Sequence, residues 1–125
     1  MVQSSKQRPV ILVVEDEFLI RTATAEAIRG AGFEVIEAAN ADAAISILES
    51  RSDIRVVFTD IHMPGSMDGA KLAHAVKDRW APVRIIATSG RVAIGELNLP
   101  AGTVLFPKPY SPEHVAWTVQ ALIGP

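Results

Sequence analysis

The apolar residues of this chain fall into short continuous runs, separated by stretches with a helical period. Pro9-Val10-Ile11-Leu12-Val13-Val14 is a β-branched run of the kind that a strand buried on both faces requires. It ends in Glu15-Asp16-Glu17. Beyond it Ile20, Thr24, Ala27, Ile28 and Ala31 keep a helical spacing, and Gly30 and Gly32 supply a stop. Residues 33–37 predict a second strand. Asn40 stands as the cap of a second helix, with Ala43, Ala44, Ile47 and Leu48 facing inward. Arg55-Val56-Val57-Phe58-Thr59 predicts a third strand that runs into Asp60. A turn-rich stretch follows, and Asp68 is the expected cap of a helix reaching Trp80, with Leu72 and Val76 inward. Residues 83–87 and 103–106 predict the fourth and fifth strands. Ser111-Pro112-Glu113 opens the last helix, a capping hydroxyl followed by proline at the first helical position, with Val115, Val119 and Leu122 inward. Residues 91–102 contain Gly95, Asn98, Pro100 and Gly102, so at most one or two helical turns are expected there.

Strands alternating with helices predict an α/β fold: a doubly wound, five-stranded parallel sheet with a short or irregular fourth helix. At 125 residues the chain is the size of one domain, and 49% apolar composition excludes a disordered chain. Residues 1–8 are expected to form a flexible polar tail ahead of a domain over residues 9–125. The balance of 12 basic and 14 acidic residues argues against a nucleic-acid partner, which needs an excess of Lys and Arg. With no cysteine, thiolate catalysis and cysteine-ligated metals are excluded. No apolar run approaches a membrane span and the start lacks a signal peptide's apolar stretch, so a cytoplasmic location away from the membrane is expected.

In doubly wound sheets ligands bind beyond the carboxyl ends of the strands. The residues expected there are Glu15 and Asp16 after the first strand, Asp60 after the third, Thr88 and Ser89 after the fourth and Lys108 after the fifth. Carboxylates held close repel one another and stay ionised together only beside a cation. Oxygen ligands without His or Cys suit Mg²⁺. A carboxylate beside Mg²⁺ is also suited to accept a phosphoryl group, with a lysine and a hydroxyl to bind its oxygens.

Val13-Val14-Glu15-Asp16-Glu17, Asp60-Ile61-His62-Met63-Pro64, Asp68-Gly69, Ser89-Gly90 and Lys108-Pro109 resemble, in this order, the signature blocks of response-regulator receiver domains of two-component systems. The resemblance covers residues 9–122 and implies the flavodoxin-like topology of that family. It implies that Asp60 accepts a phosphoryl group from a phosphohistidine of a histidine kinase or histidine phosphotransfer protein. It further implies that Asp16 and Asp60 ligate Mg²⁺ directly, Glu15 mainly through water, and His62 through its backbone carbonyl. Lys108 is expected to pair with Asp60 or its phosphoryl oxygens. Ser89 is the favoured hydroxyl, with Thr88 the alternative. A cis bond before Pro109 is implied to set the direction of the lysine. The implied function is that of a switched signalling module in a phosphorelay, with an unspecified downstream protein target. Met1 and the polar tail favour a stand-alone domain over a piece of a hybrid kinase or larger regulator.

Three features depart from the family pattern. The position three before the lysine, where many receivers carry an aromatic residue, is Leu105, with Phe106 beside it. The loop after Asp60 is about one residue longer than the common form, and residues 91–102 are shorter and poorer in helix formers. Two other classes fit less well. A haloacid-dehalogenase-like Mg²⁺-dependent phosphatase needs a second Asp two residues after the nucleophile, where this chain has His62. A flavin or nucleotide binder needs a Gly-rich phosphate loop after the first strand, where this chain has acids. His62, His74 and His114 share no metal-ligand spacing. Trp80 and Trp117 are expected to pack against the core, and Met63 and Met67 to pack locally.

Overall fold

The strands run in the order β2-β1-β3-β4-β5, every neighbouring pair parallel. They are β1 (Val10–Val14), β2 (Glu34–Ala38), β3 (Ile54–Asp60), β4 (Arg84–Ser89) and β5 (Val104–Pro107). The structure is a computed structural model in which residues 8–65, 67–90 and 98–124 are described. Among these are four helices: α1 (Phe18–Gly30), α2 (Ala41–Ser50) and α3 (Gly69–Arg79) connect successive strands, and α4 (Pro112–Ile123) follows β5. This is the doubly wound sheet expected from the alternating pattern, in the flavodoxin-like topology that the resemblance implies.

β1 explains why its sequence is apolar without interruption. Val10, Leu12 and Val14 pack toward Ala44 and Leu48 of α2 and Leu72 and Val76 of α3. Ile11 and Val13 pack on the other face with Ala25 and Ile28 of α1 and Val115 and Val119 of α4. A strand with both faces covered cannot alternate apolar and polar residues. The helix starts read from sequence are present as caps: Asn40 accepts from the Ala43 N–H at 2.8 Å, Asp68 from the Lys71 N–H at 2.9 Å and Ser111 from the His114 N–H at 3.3 Å. α1 stops at Gly30, and Gly32 has φ of 102°, a conformation that favours glycine.

Several expectations need adjusting. Strand ends shift by one or two residues, as at β2, β4 and β5. Trp117 does not pack against the core: it is 67% exposed. The buried stripe of α4 is Val115, Ala116 and Val119, which turns Trp117 outward. It lies instead on the His114 ring, 5.9 Å between centroids, and His114 meets Phe106 edge-on at 5.1 Å. Trp80 does pack against the α2/α3-side core, as do Met63 and Met67. The expected tail, apart from Arg8, and residues 91–97 of the expected irregular fourth helix lie outside the described residues.

Candidate functional site

Because every strand is parallel, all five carboxyl ends reach the same edge of the sheet. All but β2 deliver polar groups of the site there. β1 gives Glu15 and Asp16. Glu15 extends the β1–β2 ladder by one bond, its N–H donating to the Ala38 carbonyl at 3.0 Å. Its side chain is fully buried, and Oε2 accepts from the Glu17 N–H at 2.9 Å. Oε1 is buried with no hydrogen-bond partner, 3.9 Å from the Lys108 ammonium. Burial pushes the Glu15 carboxyl up to about 7, against the opposing pull of the Glu17 N–H.

β3 gives Asp60, which is 4% exposed. Oδ1 accepts from the His62 N–H at 3.2 Å and Oδ2 from Lys108 Nζ at 2.9 Å. β5 leads to Lys108 and to a cis Lys108–Pro109 bond. Burial pulls the Lys108 ammonium down, but the hydrogen bond and charge of Asp60 outweigh it and hold the group above the usual lysine value. The Lys108 N–H donates to the Ser89 carbonyl at 3.0 Å, which ties the lysine to the end of β4. Gly90 leaves room for its stem: a Cβ there would lie 3.1 Å from Lys108 Cβ.

Oxygen atoms of Glu15, Asp16 and Asp60 lie within 4.8 Å of one another. An open cavity of about 610 Å³ sits over them, lined among others by Asp16, Asp60, His62, Gly90 and Lys108. Three carboxylates face one ammonium, and one carboxylate oxygen is buried and unpartnered. That set lacks positive charge and an oxygen-binding partner, and a hard divalent cation supplies both, so the residues fit Mg²⁺.

Glu15, Asp16, Asp60 and Lys108 are therefore brought together, with the backbone of His62 beside them and its side chain exposed. Thr88 and Ser89 are both buried at the end of β4, and neither lines the cavity. Thr88 falls on the strand face of Ile86 by alternation, and its hydroxyl has no partner. Ser89 is one residue nearer the mouth, next to Gly90 of the cavity wall.

Three contributions were not read from the sequence. Gly69 is required because a Cβ there would collide with the Asp60 carbonyl. Tyr110 and Thr24 share a hydrogen bond at 3.1 Å, and the Tyr110 ring meets Phe58 edge-on at 5.5 Å. Arg21 donates from Nη1 to the Glu15 carbonyl at 2.8 Å. Its signal was available, since a charged residue stands on the stripe that Thr24, Ala25 and Ile28 bury.

A family profile described as the response regulator receiver domain matches residues 11–115. The sensor kinase CckA of Brucella abortus (strain 2308) is 32% identical over 117 residues, covering 90% of this chain and 12% of that protein. The transcriptional regulatory protein ResD of Bacillus subtilis (strain 168) is 33% identical over 116 residues, covering 90% of this chain and 47% of that protein. The chain thus spans less than half the length of these two relatives. Among solved structures, the receiver domain of the hybrid histidine kinase CckA superposes with a TM-score of 0.77 at 30% identity, over 92% of this chain and 99% of that one. A CheY-like receiver domain protein from Methanospirillum hungatei JF-1 has a TM-score of 0.82 at 23% identity, over 91% of this chain and 92% of that one, a likeness of fold.

Proposed function

Because the chain belongs to the response regulator receiver domain family, we propose that it is a phosphorylation-switched module of a phosphorelay, with Asp60 as the phosphoryl acceptor. The donor is a phosphohistidine on a histidine kinase or histidine phosphotransfer protein. The observation that carries this reading is the Asp60 carboxylate held 2.9 Å from Lys108 within the cluster of Glu15 and Asp16.

In the transfer, an Asp60 carboxylate oxygen attacks phosphorus. An O–P bond forms, the N–P bond of the donor breaks, and its electron pair returns to the imidazole nitrogen. The product is an acyl phosphate on Asp60, which water later hydrolyses to inorganic phosphate and the free carboxylate. Asp16 and Asp60 would hold Mg²⁺ directly, with Glu15 through water and the His62 carbonyl as a further ligand. When bound, the ion neutralises charge on the transferring phosphoryl oxygens. Lys108 exchanges the Asp60 carboxylate for a phosphoryl oxygen. Ser89 donates its hydroxyl to another. Its place beside Gly90 of the cavity wall supports it over Thr88. These two displacements alter the surface around β4 and β5 that a downstream protein reads. The chain acts on itself alone and turns over no other substrate. No described helix is long and apolar enough to cross a membrane, and the reading places the module in the cytoplasm.

Acetyl phosphate with Mg²⁺ tests the proposal. Intact-mass spectrometry is expected to find one added phosphoryl group, and none in Asp60→Asn. Equal uptake by that variant rules Asp60 out as acceptor. Release of many equivalents of phosphate per chain instead favours a phosphatase of the haloacid-dehalogenase type.

A further inference from the structure

Arg21 occupies a costly position. Its side chain is 15% exposed, on the stripe of α1 that buries Thr24, Ala25 and Ile28. A guanidinium there loses hydration and needs partners in return. It has two, in different elements. Nε pairs with Glu37 Oε1 of β2 at 3.2 Å, and Nη1 donates to the Glu15 carbonyl at 2.8 Å. Glu37 is fixed in turn by Arg29, 3.3 Å from its other oxygen, and Arg29 also donates to the Val35 carbonyl at 3.1 Å. The exposed Phe18 ring lies 5.5 Å from the Arg21 guanidinium and shields it.

The Glu15 carbonyl belongs to the peptide plane that leads into Asp16. The Glu15 N–H, in the preceding plane, already donates to the Ala38 carbonyl, and Glu15 Oε2 accepts from the Glu17 N–H. Arg21 supplies the remaining hold, just past the last residue of β1. Fixing that rigid plane sets both where the Glu15 side chain enters the cluster and the direction in which Asp16 leaves the strand. We infer that Arg21 is a positioning residue for the cation site: through the Glu15 carbonyl it orients the Glu15–Asp16 pair, anchored to β2 by Glu37. This rests on the reading of Glu15, Asp16 and Asp60 as a Mg²⁺ site. An ion pair with Glu37 alone would need no donor on Glu15, whereas the guanidinium fork spans both.

Arg21→Lys separates the two roles. Lysine keeps the charge, so long-range repulsion of Mg²⁺ is unchanged, but one ammonium does not span both the carbonyl and the carboxylate. Titrated with Mg²⁺ alone and followed by calorimetry, this variant is expected to bind about 10-fold more weakly, the low end of the effect of outer-shell partners on metal affinity. Glu37→Gln, which breaks the ion pair and leaves the Glu15 bond, is expected to stay within roughly 3-fold of wild type. An Arg21→Lys affinity within 2-fold of wild type overturns the inference, as does an equal loss in both variants. If Arg21→Lys does not fold, the wild-type Arg21 guanidinium resonances decide: they are expected to shift with the same Mg²⁺ midpoint as the Asp60 amide, and unmoved signals overturn the inference. Wild type without Mg²⁺ binding overturns the cation site itself, and this inference with it.

Discussion

Glu15 carries an unusual burden for one side chain, since it is fully buried, has one oxygen without a hydrogen-bond partner, and is pushed up to about 7 from an ordinary 4.5. Between those values the unfolded chain has ionised this carboxyl while the folded chain still holds its proton. Stability of the metal-free protein is therefore expected to fall as pH rises from 4.5 to 7 and to level off above, by an amount on the order of a few kcal/mol. Chemical denaturation across that range checks this, and Glu15→Gln should flatten the profile; an unchanged slope in the variant assigns it to other groups. Thr88 poses the opposite case, a buried hydroxyl without a partner. Thr88→Val is expected to raise stability by about 1 kcal/mol and leave phosphoryl uptake unchanged. Ser89→Ala is expected to slow uptake about 10-fold, the worth of one ordinary hydrogen bond. Rates measured with acetyl phosphate decide between them, and the reverse pattern assigns the hydroxyl role to Thr88. The sequence carried the acids and the lysine of this cluster because each follows an apolar run that ends in a recognisable polar block. It did not show Glu15 Oε1 left without a hydrogen bond or the Arg21 donor, because both depend on how β1, β2 and α1 meet in space.

At the scale of elements, sequence pattern and structure agree where one local signal fixes one local outcome. The β1 run is buried on both faces, and Asn40, Asp68 and Ser111 each cap the helix they precede. Agreement weakens where the outcome depends on a neighbour. Trp117 stands at a helical position adjacent to Ala116, yet α4 turns it outward because the stripe that packs on the sheet is Val115, Ala116 and Val119. Gly69 is the clearest non-local case. In the sequence it follows a capping Asp68 and reads as part of a turn. In the structure it is where the first turn of α3 lies against the end of β3, its N–H donating to the Ile61 carbonyl at 2.8 Å. Gly69→Ala places a methyl against the Asp60 carbonyl. The backbone cannot give way as a flexible side chain can, so a loss of roughly 1–3 kcal/mol is expected. Because the displaced atoms belong to Asp60 itself, Mg²⁺ affinity should fall as well. Thermal melts and Mg²⁺ titration of this variant measure both, and wild-type values for both would show that the contact relaxes without consequence.

For the whole molecule, parallel strands concentrate acidic groups at a single edge, and the helices hold the sheet so that these groups cannot separate. The metal-free fold bears that repulsion, relieved in part by Lys108 and by the proton that Glu15 retains near neutral pH. Binding of Mg²⁺ to the folded state alone must therefore stabilise it by mass action. At a concentration 100-fold above Kd the gain is about 2.7 kcal/mol, which for a chain of this length raises Tm by roughly 10 °C. The proton on Glu15 opposes the ion, so the same Mg²⁺ concentration is expected to raise Tm more at pH 8 than at pH 6. Asp16→Ala removes the proposed direct ligand, an exposed carboxylate whose charge adds to the repulsion within the cluster. That variant should melt at or above the wild-type temperature without Mg²⁺ and show little further rise when it is added. Differential scanning calorimetry of both proteins, with and without Mg²⁺ at the two pH values, tests these statements together. A full Mg²⁺-dependent rise in Asp16→Ala would place the stabilising ion elsewhere on the molecule, and a rise independent of pH would show that Glu15 keeps no proton in the folded state.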